Sequence, residues 1–246
     1  MPSTNELLTV WELGHRATPP RRALHLLAAL LPGQPPEQLA ATPVGQCEDL
    51  LLELHEHLFG PRLSATADCP ACHETIELTF HAAALRNGAP QHKGADAVEN
   101  RTVHCAGHVV RFRLPHAGDL LRLESEPDVA SAARVLLDAC ILSAERDGQP
   151  VAARQLPKEV IGTVTARMAE HDPRSNHQFA LDCPACGHHW EVLFDAGSFL
   201  WSELGAWARR LLHEVHALAR AYGWSESEIL TLSPARRQAY LELIAS

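Results

Sequence analysis

A chain of 246 residues, 46% hydrophobic and 21% charged, has the composition of a globular protein and excludes a disordered or fibrous one. With 30 acidic against 21 basic residues the formal charge is −9, which disfavours nucleic acid as a partner, because phosphate neutralisation calls for a basic face. The longest apolar run, residues 23–31, is too short to cross a bilayer, and residues 1–9 lack the basic start and small-residue cleavage site of a secretion signal, so a cytoplasmic chain without membrane contact is expected.

The first third reads as helical. Residues 21–31 form a short apolar run ended by Pro32 and Gly33, and "GQPPEQ" reads as a Pro-rich linker. Thr42 followed by Pro43 predicts an N-cap and a first-turn proline for a helix over 44–58 that stops at Gly60 and Pro61. That helix carries Leu50, Leu51, Leu54 and Leu58 on one face, with Cys47 beside the stripe as a core residue. After "DCPACHETIELTF" (68–80), the alternation of Ile76, Leu78 and Phe80 predicts a strand, with 63–67 as its partner. Residues 86–100 read as a loop, and "VHCAGHVVRFRLP" as a second hairpin turning near Ala106 and Gly107.

Helices are expected over 117–124 and 128–143, the latter turning Val135, Leu136, Ala139 and Cys140 inward. A turn at Asp147 and Gly148 then precedes a helix over 157–170. "HQFALDCPACGHHWEVLF" repeats the strand–knuckle–strand pattern of 63–80, with Trp190, Val192 and Phe194 alternating. Phe199, Leu200, Leu204, Trp207, Leu211, Val215, Leu218 and Tyr222 recur at steps of three and four, giving an amphipathic helix of about 24 residues closed by Gly223. Ser225 with Glu228 forms a capping box, and Ser233-Pro234 opens a last helix.

The fold class expected is α+β: mostly helical, with small antiparallel β-hairpins joined by a split four-cysteine zinc knuckle and a helical C-terminal segment. The chain divides into an N-terminal helical segment (1–60), a zinc-knuckle hairpin region with inserted helices (61–197, insertion 117–171) and a C-terminal helical segment (198–246), together one compact domain.

Seven cysteines are present, four of them in two CxxC pairs that share Pro-Ala between the sulfurs. One such pair could be a redox dithiol, but neither CPAC opens a helix after a strand. Two pairs on two hairpins match the tetrahedral preference of zinc, so Cys69, Cys72, Cys183 and Cys186 are expected to share one structural Zn²⁺ per chain. A closed four-thiolate shell leaves no position for a reactive water. Catalytic zinc would need a different set, such as His188 and His189 beside Cys186, or His104, Cys105 and His108 as a second site; the plainer reading of "HCAGH" is a turn with solvent-facing histidines. The remaining histidines are scattered (His55, His57, His213 and His216 among them).

No P-loop, GxGxxG, HExxH, GxSxG or deaminase-type HxE occurs, and Asp119, Asp195 and Glu203 stand without an evident acid–base partner. No enzyme and no small-molecule substrate are therefore expected. Arg209, Arg210, Arg236 and Arg237 read as a solvated helix face. The knuckles leave open a zinc-ribbon nucleic-acid or transcription-associated adaptor, which the acidic balance opposes.

Three stretches carry a resemblance: "TPVGQCEDLLLELHEHLFGPRL" (42–63), "VRFRLPHAGDLLRL" (110–123) and, above all, "FLWSELGAWARRLLHEVHALARAYGWSESEILTLSPARRQAYLELI" (199–244). Together they resemble the baseplate or baseplate-hub assembly proteins of contractile-tailed phages and related injection systems. The CPAC knuckles are similar to those of the longer, cellular members, which implies that the metal is a stabilising addition. The resemblance implies a non-enzymatic structural or chaperone-like role, with baseplate, hub or tube proteins of a contractile particle as partners, and leaves room for incorporation into that particle. The C-terminal helices would then dock, with Trp201, Trp207, Tyr222 and Trp224 as anchors.

Overall fold

The computed structural model describes residues 2–87 and 101–245; most of the loop expected at 86–100 lies outside them. The chain opens with α1 (Thr4–Gly14), started by a capping box between Ser3 and Glu6. α2 (Pro19–Leu30) begins on two prolines, whose fixed φ suits a first helical turn. The expected linker instead contains a short helix, α3 (Pro36–Ala40), for the same reason. α4 (Val44–Phe59) is capped by Pro43 and not by Thr42, whose hydroxyl donates to the Gln38 carbonyl (3.2 Å). Its buried side is Cys47, Leu51, Leu52, Leu54 and His55, while Leu50 and Leu58 are only half-buried. The face is rotated from the simple stripe because helices flank α4 on two sides.

A first hairpin follows, β1 (Arg62–Asp68) with β2 (Thr75–His81), pairing Leu63 with Phe80 and Asp68 with Thr75. After α5 (Ala82–Asn87), β3 (Thr102–Cys105) and β4 (His108–Phe112) form the second expected hairpin. α6 (Ala117–Leu123) and α7 (Val129–Cys140) come next, and α7 ends three residues before the expected boundary. Ile141 leaves the helix because β5 (Ile141–Arg146) pairs along β4, Val110 opposite Ala144, and the Cys140 carbonyl accepts from the Arg113 N–H (2.8 Å). With β6 (Gln149–Pro150) the sheet reaches four strands, in the order β3-β4-β5-β6. α8 (Lys158–His171) and a 3₁₀ turn (Pro173–Ser175) lead into the third hairpin, β7 (His177–Asp182) with β8 (His189–Phe194). α9 (Ala196–Tyr222), capped by Asp195 and closed by Gly223 in the left-handed region, carries α10 (Glu226–Thr231) and α11 (Pro234–Ala245).

The architecture is α+β and mostly helical, with small antiparallel sheets. Its principal apolar cluster joins α1, α2, α4 and α9 through Leu7, Leu26, Leu27, Leu51, Leu54, Leu200 and Leu204. A second cluster lies between the four-stranded sheet and helices α7 and α8, formed by Val103, Val110, Phe112, Cys140, Val160 and Val164. The two knuckle hairpins meet through their apolar faces. Phe80 of β2 lies 4.9 Å from Phe179 of β7 and 5.4 Å from Phe194 of β8, centroid to centroid.

Several polar side chains that read as isolated or solvated have hydrogen-bond partners. Arg237 is 5% exposed and donates to Glu214 (3.0 Å) and the Leu232 carbonyl (2.8 Å), so only Arg209, Arg210 and Arg236 of the basic group are exposed. Asp119 accepts both guanidinium arms of Arg113 (2.6 and 2.9 Å) as well as the His116 N–H. Although desolvation opposes it, these contacts hold the Asp119 carboxyl below its ordinary range. Glu203 lies 2.7 Å from the buried His55 ring nitrogen Nε2. Asp195 is the α9 cap.

In each knuckle the residue one past the second cysteine adopts a positive φ: His73 at 62° and Gly187 at 72°. The equivalent turns thus hold a side chain in one copy where the other has glycine. His73→Gly should raise unfolding stability by about 0.5–1 kcal/mol, and Gly187→Ala should lower it by about 1 kcal/mol, in urea titrations. Leu204→Ala, at a fully buried position, should cost about 2–5 kcal/mol, whereas Leu243→Ala, 67% exposed, should stay within about 0.5 kcal/mol.

Candidate metal centre

A CxxC turn at a hairpin tip aims two sulfurs away from the strands, and here two such tips face one another. Each knuckle is built by the same local bonds. The Cys69 N–H donates to the Glu74 carbonyl and the His73 N–H to the Cys69 carbonyl, both at 2.9 Å; Cys183, His188 and Gly187 repeat the pair at 2.9 Å. Below each turn an aspartate closes the hairpin: Asp68 accepts from Thr75 Oγ1 (2.7 Å), and Asp182 bonds the His189 ring (3.0 Å).

The sulfurs of Cys69, Cys72, Cys183 and Cys186 all lie within 4.8 Å of one another. The short contacts run between knuckles, Cys69 to Cys186 at 3.7 Å and Cys72 to Cys183 at 3.5 Å. Four sulfurs about 2.3 Å from a central ion form a tetrahedron with edges of about 3.8 Å. The donor set therefore fits a tetrahedral thiolate-bound metal ion. Cys69 and Cys183 are buried, while Cys72 and Cys186 face solvent, so the centre lies at the surface end of the stacked hairpins.

Peptide N–H groups of the two turns favour the charged form of three of these thiols, and in Cys183 they prevail. Burial alone would raise Cys183, but the N–H groups of Cys186 and Ala185 outweigh it and bring the thiol down to about 7. The Glu74 N–H acts in the same sense on Cys72 and the His188 N–H on Cys186, but neighbouring sulfurs and desolvation win there, leaving Cys72 pushed up to about 12 and Cys186 raised. These donors could not be read from residue types, because they are peptide groups placed by the turn. A metal ion held there would remove the mutual opposition, since it binds all four sulfurs as anions.

The other cysteines serve packing. Cys47 and Cys140 are buried, and desolvation pushes their thiols up to about 12 and about 11. His188 stacks on Trp190 (6.0 Å between centroids), and His189 is held by Asp182, so neither turns to the sulfurs. In the "HCAGH" turn His104 is exposed, Cys105 accepts from Thr163 Oγ1 (3.4 Å), and His108 is buried and donates from Nδ1 to the Ala106 carbonyl (2.9 Å). That burial of His108 corrects the reading of both histidines as solvent-facing. Among the described residues, the four knuckle cysteines are the one group of three or more ligand side chains close enough to share an ion.

The aromatic residues of the C-terminal segment fall into two environments. Trp201 and Trp207 are half-buried against the principal cluster, with the Arg22 guanidinium 4.9 Å above the Trp201 ring. Tyr222 and Trp224 stack at 4.7 Å, and Tyr240 of α11 meets both edge-on (5.5 and 4.9 Å). Tyr222 is exposed, and Leu243 and Ile244 add exposed apolar surface on α11. Among the described residues no helix is long and apolar enough to cross a membrane.

A family model described as T4 bacteriophage base plate protein matches residues 23–201. The matched span takes in 42–63, 110–123 and all four knuckle cysteines, and it ends within the first turns of α9. No curated protein and no solved structure matches the chain. Because the match runs from α2 through both apolar clusters and both knuckles into α9, the chain belongs to the T4 bacteriophage base plate protein family.

Proposed function

We propose that this chain is a non-enzymatic structural or assembly factor, chaperone-like in action, for the baseplate of a contractile injection particle, with a fold fastened by one structural zinc ion. The family match over residues 23–201 carries this reading. A family named for a base plate supports a role in particle structure or assembly, and the cysteine cluster supports a metal that fastens the fold. Cys47 and Cys140, with thiols raised by burial, are no nucleophiles. The docking element is the C-terminal helical segment, with Trp201, Trp207, Tyr222 and Trp224 as anchors and hub or tube proteins as partners. Zinc is the metal best suited to four thiolates in a tetrahedron.

Elemental analysis of the purified chain is expected to give one zinc per molecule. Cys69→Ser or Cys186→Ser should lose the metal and with it the cooperative unfolding transition, whereas Cys47→Ser should keep the metal. A folded, soluble Cys69→Ser protein that retains zinc would show an open site and overturn the structural role. Replacing Tyr222 and Trp224 together by Ala should weaken capture of co-expressed hub or tube proteins about tenfold or more while leaving zinc content unchanged. Capture at wild-type strength would remove the C-terminal segment as the docking element.

A further inference from the structure

The four knuckle sulfurs are not equivalent. Each short contact joins an exposed cysteine of one hairpin tip to a buried cysteine of the other: Cys72 to Cys183 at 3.5 Å, and Cys186 to Cys69 at 3.7 Å. The two pairs share no sulfur. Sulfurs in a disulfide stand about 2.05 Å apart, so each pair is roughly 1.5 Å from bonding distance, a gap that small rotations of both side chains can close. Below the tips Phe80 packs against Phe179 and Phe194, so contacts other than the sulfurs also hold the two turns side by side. The other three cysteines stand outside this arrangement. Cys47 and Cys140 are buried in separate apolar clusters, and Cys105 accepts from Thr163 Oγ1 (3.4 Å).

We infer that the knuckle pair is an oxidisable clasp: a hydroperoxide converts the four thiolates into two disulfides that run between the hairpins, Cys72 to Cys183 and Cys69 to Cys186, so that the metal is released while the hairpins stay joined. The release of metal rests on the reading of the cluster as a structural zinc site. The exposed sulfur, Cys72 or Cys186, attacks one peroxide oxygen; the O–O bond breaks, hydroxide leaves and a sulfenic acid remains. The buried sulfur of the opposite hairpin, Cys183 or Cys69, then attacks the sulfenic sulfur. The S–O bond breaks, a second hydroxide leaves and the disulfide is formed. Each disulfide thus consumes one peroxide and two protons and yields two waters, with two electrons passing from the sulfur pair to the O–O bond. Once both pairs are oxidised, no thiolate is left to hold an ion.

The direction of pairing decides the consequence for the fold. Disulfides within each CxxC turn would also expel the metal, but they would leave the tips unjoined. Bonds between the hairpins close the same stretches of 111 and 117 positions that a shared ion closes, and so keep the constraint on the unfolded chain. The fold is then clasped by metal in a reducing solution and by disulfides in an oxidising one.

The test uses the full wild-type chain, with its zinc content measured first. After treatment with a small excess of hydrogen peroxide, free thiols are alkylated and the chain is digested without reduction. Mass spectrometry with fragmentation is expected to find Cys72 linked to Cys183 and Cys69 linked to Cys186, with about one zinc per chain released to a chelating dye. The oxidised chain in EDTA should keep a cooperative urea transition that disappears when a reductant is added. Disulfides inside the turns, the opposite cross-pairing, sulfinic acids without a linkage, or thiols that stay reduced each overturn the proposal, as does a linked chain that has lost its cooperative transition. Zinc absent from the purified chain would count against the structural-zinc reading alone, and the linkage pattern would still support or overturn the clasp.

Discussion

Four sulfurs must arrive at one point from two turns whose facing cysteines are 111 and 117 positions apart in the chain. A CxxC turn supplies only two, so the cluster exists only if everything between the knuckles returns the chain to its starting place. Closing a loop of that length costs about 4–5 kcal/mol of chain entropy, which a cross-link removes from the unfolded state. The returning chain is met by more than sulfur. The hairpins below the knuckles pack Phe80 against Phe179 and Phe194, and this aromatic contact holds the two tips side by side. Phe194 then reaches Phe199 on α9 (5.6 Å), so the same contact fixes where the long helix leaves the hairpin.

From that junction the molecule uses apolar burial and polar contact for different purposes. Leucines of α1, α2, α4 and α9 make one cluster, and the sheet with α7 and α8 makes another. Apolar burial is non-directional and tolerates small rotations, so it holds each cluster without fixing one against the other. Directional contacts supply the relative placement: the Pro43–His116 bridge with Thr18 and Arg21 bonding Glu124 on one side, and Gly45 to Asp172 with Arg174 to Asp49 on the other. Both sets include an ion pair, Arg21 with Glu124 on the first side and Arg174 with Asp49 on the second.

What could be read from the sequence follows from the range of the interactions involved. The knuckle hairpins were legible because alternation of Ile76, Leu78 and Phe80, and of Trp190, Val192 and Phe194, is a property of neighbours two apart. The helix closed by Gly223 and the Ser225–Glu228 cap were legible for the same reason, at steps of three and four. The pairing of the two CPAC turns could be inferred over a long separation only because the motif is duplicated. Elsewhere the partner is distant and carries no matching pattern: Glu203 and His55 are 148 positions apart, and Asp172 and Gly45 are 127. The early end of α7 belongs to this class, since Ile141 continues a helical pattern until β4 claims it as a strand. The burial of Arg237 does too, since its charge is satisfied by Glu214 on the preceding long helix.

The family match stops at residue 201, whereas α9 continues unbroken to Tyr222. Its buried face runs the full length, from Leu200 and Leu204 in the principal cluster through Leu211 to Leu218 beneath α10. The end of the matched span is therefore no boundary in the fold, and the last helices pack on the far part of the same helix. At about 1.5 Å per residue, the helix beyond residue 201 places Tyr222 roughly 30 Å from the end of the matched span. The aromatic cluster of Tyr222, Trp224 and Tyr240 forms at that far end, with Ile229 buried below and Leu243 exposed beside it. Three large rings gathered on one another at a helix terminus lose little side-chain entropy on meeting a partner, because they are already ordered. The docking surface proposed for the C-terminal segment would thus lie at the far end of α9, away from the hairpins and the segment bearing the four-stranded sheet, which keep their own contacts.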